Sequence, residues 1–313
     1  MKAIMLALWD YRNHTTDEGW QLQEGLRLAG VELWGKGYAH SERHVPAILD
    51  AAQPDVVILS DYRDWDPSNG GAYDKTAGFT GIQALFHHRC VLPVFKDAAS
   101  CLPYQCRYHE QIAANGWICY YHPKSVCRYA AWVDPDYIIR TYHTIDPAVI
   151  PNNGAPRNGT IISGARNADV YPLRDRIMAA PGYFGVDVRN HPGYGNKGSD
   201  VAEYYHALSK YRVSIATASR YGFALRKIIE AVACGCTAIS DLPEYDHLPD
   251  VPILRVSPIE WGTILWQIIR NAEDRYDPKR ADQAAAKVIE RYDYRVEGRR
   301  LYQAIEEFWR ARN

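Results

Sequence analysis

Residues 211–241 read YRVSIATASRYGFALRKIIEAVACGCTAISD. The stretch begins with an apolar, β-branched run, 213–218, whose length suits a strand that is buried on both faces. After a turn, apolar residues recur at three- and four-residue spacing over 223–233, which predicts a helix packed on a sheet. Gly235 suits the left-handed position after that helix, and 237–240 predicts a second buried strand. The stretch therefore predicts a β–α–β unit, whose helix begins at the sheet edge where open α/β folds bind ligands.

The first turn of this predicted helix carries two cations, Arg226 and Lys227, and Glu230 follows on the same face. Free N–H groups at a helix start attract anions, whereas cations are unfavourable there on their own. A bound diphosphate would neutralise the two cations, and the Glu230 carboxylate could accept hydrogen bonds from a ribose diol. The same spacing also fits an ordinary helix surface with i,i+3 and i,i+4 salt bridges. Local spacing leaves both interpretations open.

Residues 229–243, IEAVACGCTAISDLP, resemble the signature of the group 1 nucleotide-sugar glycosyltransferases, which have the GT-B fold. In that family an acidic residue, a turn of small residues, Cys-Gly or Ala-Gly, and an apolar strand follow in this order. The resemblance implies that Glu230 binds the donor ribose and that Arg226 and Lys227 lie near the diphosphate. The family often has another Glu eight residues earlier, which contacts the transferred sugar; Gly222 occupies that position here.

The resemblance extends to two loops that are expected to line the donor site. The turn before the helix supplies Ser219, Tyr221 and Gly222 as candidate nucleotide-sugar ligands. GT-B transferases often carry a glycine and a basic residue after the first strand of the second domain, facing the diphosphate. Gly164 and Arg166 match that pattern, whereas Arg174, further along, is expected on a helix surface.

Three predicted strands of the N-terminal half end in aspartate, at Asp10, Asp61 and Asp97. Because parallel strands present their carboxyl ends at one edge, we expect these side chains to face the same cleft. One of them could accept the proton of an acceptor hydroxyl, with Asp97 the first choice and Asp61 the second. Aspartate also commonly caps the following helix or turn, so each residue has a purely structural interpretation.

Composition indicates an ordinary globular protein. The chain has 313 residues, is 47% hydrophobic and 23% charged, and carries a net charge of −1. This balance provides no general attraction to nucleic acid or to membranes, so a nucleic-acid acceptor is possible but is not favoured. The seven cysteines are odd in number and include no C-x-x-C pair, which favours reduced thiols and a cytoplasmic protein.

Strands and helices alternate along both halves of the chain, which predicts α/β domains with doubly wound parallel sheets. Residues 146–158, with three prolines and one glycine, are the best candidate for a linker. We therefore expect two Rossmann-like domains facing across a cleft, as in GT-B proteins. They are an acceptor domain at 1–150 and a nucleotide-sugar-binding domain at 151–295. The helix at 296–313 is expected to pack back on the first domain.

The predicted function is transfer of a hexosyl or pentosyl group from a nucleoside diphosphate sugar to an acceptor hydroxyl. No metal-ligand spacing is evident, so we expect a metal-independent reaction. No cofactor is expected, and the nucleoside diphosphate sugar is the donor substrate. Residues 193–198 match the literal dinucleotide fingerprint, but their position in the domain favours a loop near the cleft. Two alternatives remain open: another two-domain nucleotide-sugar enzyme, such as an epimerase, and a nucleotide-sugar-binding protein without transfer activity.

Overall fold

The computed structural model describes residues 1–7, 17–60, 78–95, 115–131, 133–151, 156–190, 201–260 and 262–313. Its contacts divide the chain into two compact units. The first unit comprises Met1–Arg12, Glu18–Tyr142 and Tyr294–Asn313, and the second comprises Asn13–Asp17 and His143–Asp293.

The first unit is built on a parallel sheet of six strands in the order β2-β1-β3-β4-β5-β6. The strands are β1 (Ala3–Leu6), β2 (Glu32–Trp34), β3 (Val56–Leu59), β4 (Val91–Phe95), β5 (Trp117–Cys119) and β6 (Ile138–Arg140). β1, β3, β4 and β5 are buried along their whole length, as expected for strands covered on both faces.

The helices of the first unit in the described residues are α1 (Asp17–Leu28), α2 (Val45–Ala52), α3 (Pro123–Tyr129) and α10 (Tyr294–Arg310). The segment Ile82–His87 forms a 3-10 helix. The first residue of α1, Asp17, groups with the second unit.

α10 is fixed in the first unit by backbone contact and by a buried carboxylate. A Cβ atom added to Gly298 would lie 2.3 Å from the carbonyl oxygen of Gly25 in α1, so this crossing requires glycine. Glu297, which is buried, accepts hydrogen bonds from Thr141 Oγ1 at 2.8 Å and from the Tyr142 N–H at 2.9 Å. The last described helix of the chain therefore belongs structurally with its beginning.

The second unit contains a parallel sheet of five strands in the order β11-β10-β9-β7-β8. The strands are β7 (Thr160–Gly164), β8 (Val186–Asn190), β9 (Val213–Ile215), β10 (Thr237–Ser240) and β11 (Ile253–Arg255). The helices in its described residues are α4 (Pro172–Ala179), α5 (Pro181–Phe184), α6 (Val201–Leu208), α7 (Arg226–Ala233), α8 (Thr263–Asp274) and α9 (Pro278–Tyr292).

The strand order of the second sheet reverses between β7 and β9. The chain runs from β7 outward to β8, then returns to the other side of β7 to form β9. Crossovers therefore leave β7 and β9 in opposite directions and open a crevice outside their carboxyl ends, which is where open α/β sheets bind ligands. We call this region the carboxyl-edge crevice; its described lining comes from β8 and from residues that follow β7 and β9.

The β–α–β unit that the sequence predicts is present, but its helix begins later than expected. Gly222 has φ +72° and Leu225 is extended, so Phe223 and Ala224 precede α7, which starts at Arg226. Phe223 and Ala224 are nevertheless buried, which explains why the apolar pattern extends past the helix start. Gly235 has φ +78° after the end of α7, as predicted. Among the described helices, none is long and apolar enough to cross a membrane.

Candidate functional site

Gly164, the last residue of β7, allows two cationic side chains to approach the end of its strand. Its φ is +121°, a conformation that favours glycine. A Cβ atom at this position would lie 2.7 Å from Nη1 of Arg174 and 3.3 Å from Cε of Lys227. Any larger residue would therefore displace at least one cation from the carboxyl-edge crevice.

The sequence predicts Arg174 on a helix surface, and this prediction is wrong. Arg174 is buried, with 2% of the residue exposed. Its Nε donates to Thr217 Oγ1 at 3.2 Å, which joins the segments that follow β7 and β9. Its guanidinium stacks 4.0 Å from the centroid of the Tyr171 ring. In sequence, Arg174 lies three and four residues before the buried Ile177 and Met178, and this spacing was a signal that placed it on the inner face.

Arg166, the residue that the resemblance places opposite the diphosphate, has a more exposed side chain. Its Nε lies 3.0 Å from Asp175 Oδ1, and 51% of the side chain is accessible to solvent. Arg166 follows β7 and thus belongs to the same loop as Gly164. The charge of Arg166 is balanced by Asp175. Arg174, and not Arg166, is the arginine that packs against Gly164 at the end of β7.

Tyr204, a residue that sequence reasoning did not select, is surrounded by polar and cationic groups. Its hydroxyl lies 2.9 Å from Ser163 Oγ and accepts a hydrogen bond from Lys227 Nζ at 3.2 Å. Lys227 Nζ is 4.7 Å from the centroid of the Tyr204 ring, and the Arg189 guanidinium carbon is 5.7 Å from it. Arg189 lies on β8, so three successive β–α segments bring cations to one crevice.

Lys227 is the cation whose acid–base equilibrium this environment changes most. Its pKa is lowered to about 8, mainly because the side chain is buried; Glu230 opposes this shift, and Arg174, Arg226 and Arg189 contribute to it. An ammonium group that is partly stripped of water and faces other cations is stabilised by a bound anion. The crevice therefore has the electrostatic properties of a site for a phosphate-bearing ligand.

Arg226 is engaged by carboxylates of the chain itself. Its Nη2 donates to Asp17 Oδ2 at 2.5 Å and to the Tyr205 hydroxyl at 2.9 Å, and its Nε lies 3.2 Å from Glu230 Oε1. Asp17 is fully buried and Glu230 is 3% exposed. The expectation that a ligand anion balances Arg226 therefore needs revision, because Asp17 and Glu230 already balance its charge.

Glu230 lies within a hydrogen-bonded group rather than alone on the helix. In addition to Arg226, the Tyr205 hydroxyl donates to Glu230 Oε1 at 3.3 Å. Tyr205 and Arg226 both contact Oε1, so they orient Glu230 through one oxygen of its carboxylate. Tyr205, like Asp17, has no distinguishing signal in the sequence, because its role depends on contacts between distant segments.

The turn that carries Ser219, Tyr221 and Gly222 lies beside the crevice. Ser219 is buried; its carbonyl accepts the Gly222 N–H at 2.9 Å, and its hydroxyl accepts the Phe223 N–H at 3.4 Å. The Arg220 N–H donates to the carbonyl of Val170 at 2.8 Å. This bond ties the turn after β9 to the loop after β7, so both loops are held against one another.

Asp241, at the end of β10, fixes the backbone next to this turn. Its Oδ1 accepts the Ala218 N–H at 2.7 Å. Burial raises the pKa of Asp241, while this backbone hydrogen bond lowers it. Asp241 thus stabilises the segment after β9 from the neighbouring strand.

The predicted catalytic residues Asp10, Asp61 and Asp97 lie outside the described residues, and so does the glycine-rich loop 193–198. Within the described part of the chain, no group of three or more His, Cys, Asp or Glu side chains has the arrangement of a metal site. The cysteines described by the structure, which are Cys90, Cys119, Cys127, Cys234 and Cys236, are all free thiols.

Comparison with known proteins identifies the fold. No protein-family model and no curated protein matches the chain at the sequence level. Among solved structures, HepE of Anabaena in complex with UDP-glucose aligns over 98% of this chain and 100% of its own, with 11% identity and a TM-score of 0.61. Sucrose-phosphate synthase of Thermosynechococcus elongatus aligns over 99% and 100%, with 12% identity and a TM-score of 0.60.

AviGT4, a glycosyltransferase of avilamycin A biosynthesis, aligns over 98% of this chain and 97% of its own, with 10% identity and a TM-score of 0.57. These structures share the GT-B fold, in which two parallel-sheet α/β domains follow one another along the chain. The fold class predicted from residues 211–245 is therefore confirmed over nearly the whole chain.

Proposed function

We propose that this chain, which has the GT-B fold, transfers a sugar from a nucleoside diphosphate sugar to an acceptor hydroxyl. The observation that supports this most directly is the convergence of Arg174, Arg189 and Lys227 on the carboxyl-edge crevice beside Gly164. A similar fold, that of HepE, occurs in complexes with UDP and with UDP-glucose. The chemistry of the crevice and the fold thus favour the same class of ligand.

In the proposed reaction, a bond at the anomeric carbon breaks and the nucleoside diphosphate leaves with negative charge. Lys227 and Arg174 are positioned to stabilise that charge, and Arg166 could add to it from the loop after β7. Side chains thereby take the role that a metal ion has in other transferases. If this is correct, transfer continues in excess EDTA.

We assign the nucleoside half of the ligand to α7 and the turn before it. Glu230 accepts hydrogen bonds from the ribose, and Arg226, fixed by Asp17, holds the Glu230 carboxylate in place. Ser219, Tyr221 and Gly222 contact the donor from the adjacent turn. The acceptor hydroxyl is deprotonated by one of the first-unit aspartates, with Asp97 preferred over Asp61 and Asp10.

The first experiment measures binding. Wild-type protein is titrated with a panel of nucleoside diphosphates, and the tightest ligand is then compared with the Lys227→Ala variant. Loss of one charge-assisted hydrogen bond lowers affinity by about ten- to a hundredfold. Lys287→Ala, which removes an exposed lysine from α9, is the matched control and should bind like wild type. Equal affinity of Lys227→Ala and wild type would contradict the assignment of the diphosphate to the crevice.

A second experiment separates transfer from the two alternatives. The preferred nucleotide sugar is incubated with a set of candidate acceptors, and the release of nucleoside diphosphate is measured with and without each acceptor. A transferase releases the diphosphate in an acceptor-dependent manner. An epimerase interconverts the donor sugar without release, and a binding protein does neither.

A further inference from the structure

A second cavity lies at the opposite edge of the second sheet from the crevice. It encloses about 400 Å³ and is lined by residues that include Arg157, Arg212, Asp274 and Tyr276. Arg157 precedes β7 and Arg212 precedes β9, which places the cavity at the amino ends of these parallel strands. We call it the amino-edge cavity. It shares no lining residue with the carboxyl-edge crevice, so it is a separate site.

The two arginines of this cavity retain hydrogen-bonding capacity. The Arg157 side chain is 8% exposed; its Nη1 donates to the Tyr276 hydroxyl at 2.7 Å and to Asp282 Oδ1 at 2.9 Å. Its Nε is buried and has no hydrogen-bond partner among the residues that the structure describes. Buried N–H groups in folded proteins are nearly always paired, so an unpaired guanidinium nitrogen beside a cavity points to a ligand.

Arg212 is the second cation of the cavity. Its Nε donates to the carbonyl of Arg157 at 3.0 Å, which fixes the base of the guanidinium and holds the two arginines together. No described residue forms an ion pair with Arg212, and its terminal nitrogens make no further bond within the described chain. A guanidinium held in this way presents a planar pair of donors, which suits bidentate binding of an oxyanion.

The carboxylates around the cavity divide into two kinds. Glu273 is already occupied, because Thr160 Oγ1 donates to its Oε1 at 2.5 Å and Arg270 Nη1 donates to its Oε2 at 2.6 Å. Asp274 is exposed and forms no ion pair with a described residue. The cavity therefore offers the N–H donors of Arg157 and Arg212 to an anion. It also offers the carboxylate of Asp274 as a hydrogen-bond acceptor.

We propose that the amino-edge cavity binds a phosphorylated small molecule that carries hydroxyl groups. The phosphate contacts Arg157 and Arg212, and a hydroxyl donates to the carboxylate of Asp274. A ligand with phosphate alone leaves Asp274 unused, and an uncharged polyol leaves the two guanidinium groups unused. A hexose phosphate, which has both features and a size compatible with the cavity, is the simplest representative of this class.

The test uses isothermal titration of the full-length protein with glucose 6-phosphate, inorganic phosphate and glucose. All titrations are repeated with the Lys227→Ala variant. This substitution removes from the crevice the side chain that is expected to bind phosphate there. We expect glucose 6-phosphate to bind in both backgrounds, and more tightly than phosphate or glucose. Binding that disappears in the Lys227→Ala background would place the ligand in the crevice and overturn the proposal.

Arg212→Gln is the informative variant, because Arg157 also ties Tyr276 and Asp282 and its loss would disturb the fold. We expect Arg212→Gln to bind glucose 6-phosphate about tenfold or more weakly, since it loses a charge-assisted contact. Arg280→Gln, which removes the same charge from an 88% exposed side chain on α9, is the control and should bind like wild type. Equal losses in both variants, or no loss in Arg212→Gln, would overturn the proposal.

A third variant tests the hydroxyl contact. Asp274→Ala should reduce the affinity for glucose 6-phosphate toward that for inorganic phosphate and leave phosphate binding unchanged or stronger. If Asp274→Ala instead strengthens binding of both ligands equally, Asp274 acts only as a repulsive charge, and the assignment of a hydroxyl-bearing ligand is wrong.

Discussion

Protonation of Lys227 makes ligand binding in the crevice depend on pH. The pKa of Lys227 is about 8, against an ordinary value of 10.5, so at about pH 9 the side chain is largely neutral. A bound diphosphate favours the charged form and therefore raises this pKa. At a pH between the pKa of Lys227 in the free protein and its higher pKa in the complex, ligand binding takes up close to one proton. The affinity therefore falls as the pH rises above 8.

This uptake is measured by titration calorimetry at about pH 9 in buffers of different ionisation enthalpy. Wild type should show a buffer-dependent enthalpy that corresponds to proton uptake, whereas Lys227→Met should show much less. At pH 6.5 the lysine is charged before and after binding, so Lys227 takes up no proton and wild type and Lys227→Met should show the same buffer dependence; the comparison at pH 9 is therefore the decisive one. Identical buffer dependence in wild type and Lys227→Met would assign the proton to another group.

Glu230 is the residue for which the two interpretations of the sequence make opposite predictions. If it accepts hydrogen bonds from the ribose, Glu230→Ala weakens nucleoside diphosphate binding about ten- to a hundredfold, and Glu230→Gln has an intermediate effect. A 2′,3′-dideoxy nucleotide should then lose little further affinity in the Ala variant. If Glu230 only balances Arg226, the Ala variant leaves that cation with Asp17 as its remaining carboxylate partner, and binding is unchanged or tighter. Titration of both nucleotides distinguishes these outcomes.

Which site residues could be predicted from the sequence depended on how local their contacts are. Lys227 and Glu230 belong to one helix, so their spacing and the family resemblance pointed to them. Tyr204 and Asp17 contribute through contacts with residues distant in sequence, and no local pattern marks such contacts. Arg174 had a local signal, the spacing to Ile177 and Met178, but the tendency of arginine to be exposed outweighed it.

At the level of elements, the strand β7 ends in a glycine whose replacement tests the geometry of the crevice. Gly164→Ala introduces a Cβ atom close to Arg174 and Lys227 at a residue with φ +121°. We expect a loss of about 1–3 kcal/mol in the free energy of unfolding from backbone strain, and weaker nucleotide binding because the cations move. Chemical denaturation and nucleotide titration measure the two effects.

Gly159→Ala provides the matched control for this variant. Gly159 precedes the same strand and has φ +62°, but a Cβ atom there would have no neighbour within 4 Å. It should therefore lose some stability from its backbone conformation and retain full nucleotide affinity. If both variants lose affinity to the same extent, the effect of Gly164→Ala is a general loss of stability rather than displacement of cations.

Most strands and helices were predictable because their apolar periodicity is strong, but their ends were less so. The helix after β9 was predicted to start at Phe223, and it starts at Arg226. Phe223 and Ala224 are buried, and periodicity reports burial, but the backbone at these two residues is not helical. His143 Nε2 donates to the Ala224 carbonyl at 2.9 Å, and this contact from a distant segment could not be read from the local sequence.

At the scale of the whole molecule, the crossing of α1 and α10 predicts how Gly298→Ala changes stability. Two opposing free-energy contributions act there, and the larger one decides whether the variant is stabilised or destabilised. Helix propensity alone predicts that Gly298→Ala stabilises α10 by about 1 kcal/mol. The added Cβ atom would lie 2.3 Å from the Gly25 backbone, and forcing apart two packed helices costs about 1–3 kcal/mol or more. We therefore expect net destabilisation of the first unit. Gln303→Ala, at an exposed position of α10, should not destabilise it.

Thermal unfolding monitored with and without a nucleoside diphosphate tests this assignment. The nucleotide should raise the unfolding temperature of the second unit, because the proposed ligand site lies there. Gly298→Ala should instead lower the temperature of the other transition, that of the first unit. A Gly298→Ala protein as stable as Gln303→Ala would show that the two helices separate without cost. The two-sheet architecture was predictable from the alternation of elements, but this glycine pair was not, because each glycine alone resembles an ordinary helix position.

The placement of α10 also has a consequence for the order of events on the ribosome. Tyr294–Asn313 complete the first unit, yet they are synthesised after all of His143–Asp293, which belong to the second. At about 5–20 residues per second, the sheet of the first unit waits roughly ten to thirty seconds for its last helix. During that interval Thr141 lacks Glu297, and the side of α1 at Gly25 is uncovered. A nascent chain of this protein therefore completes last the unit that it begins first, and we expect chaperones to bind that uncovered surface during synthesis.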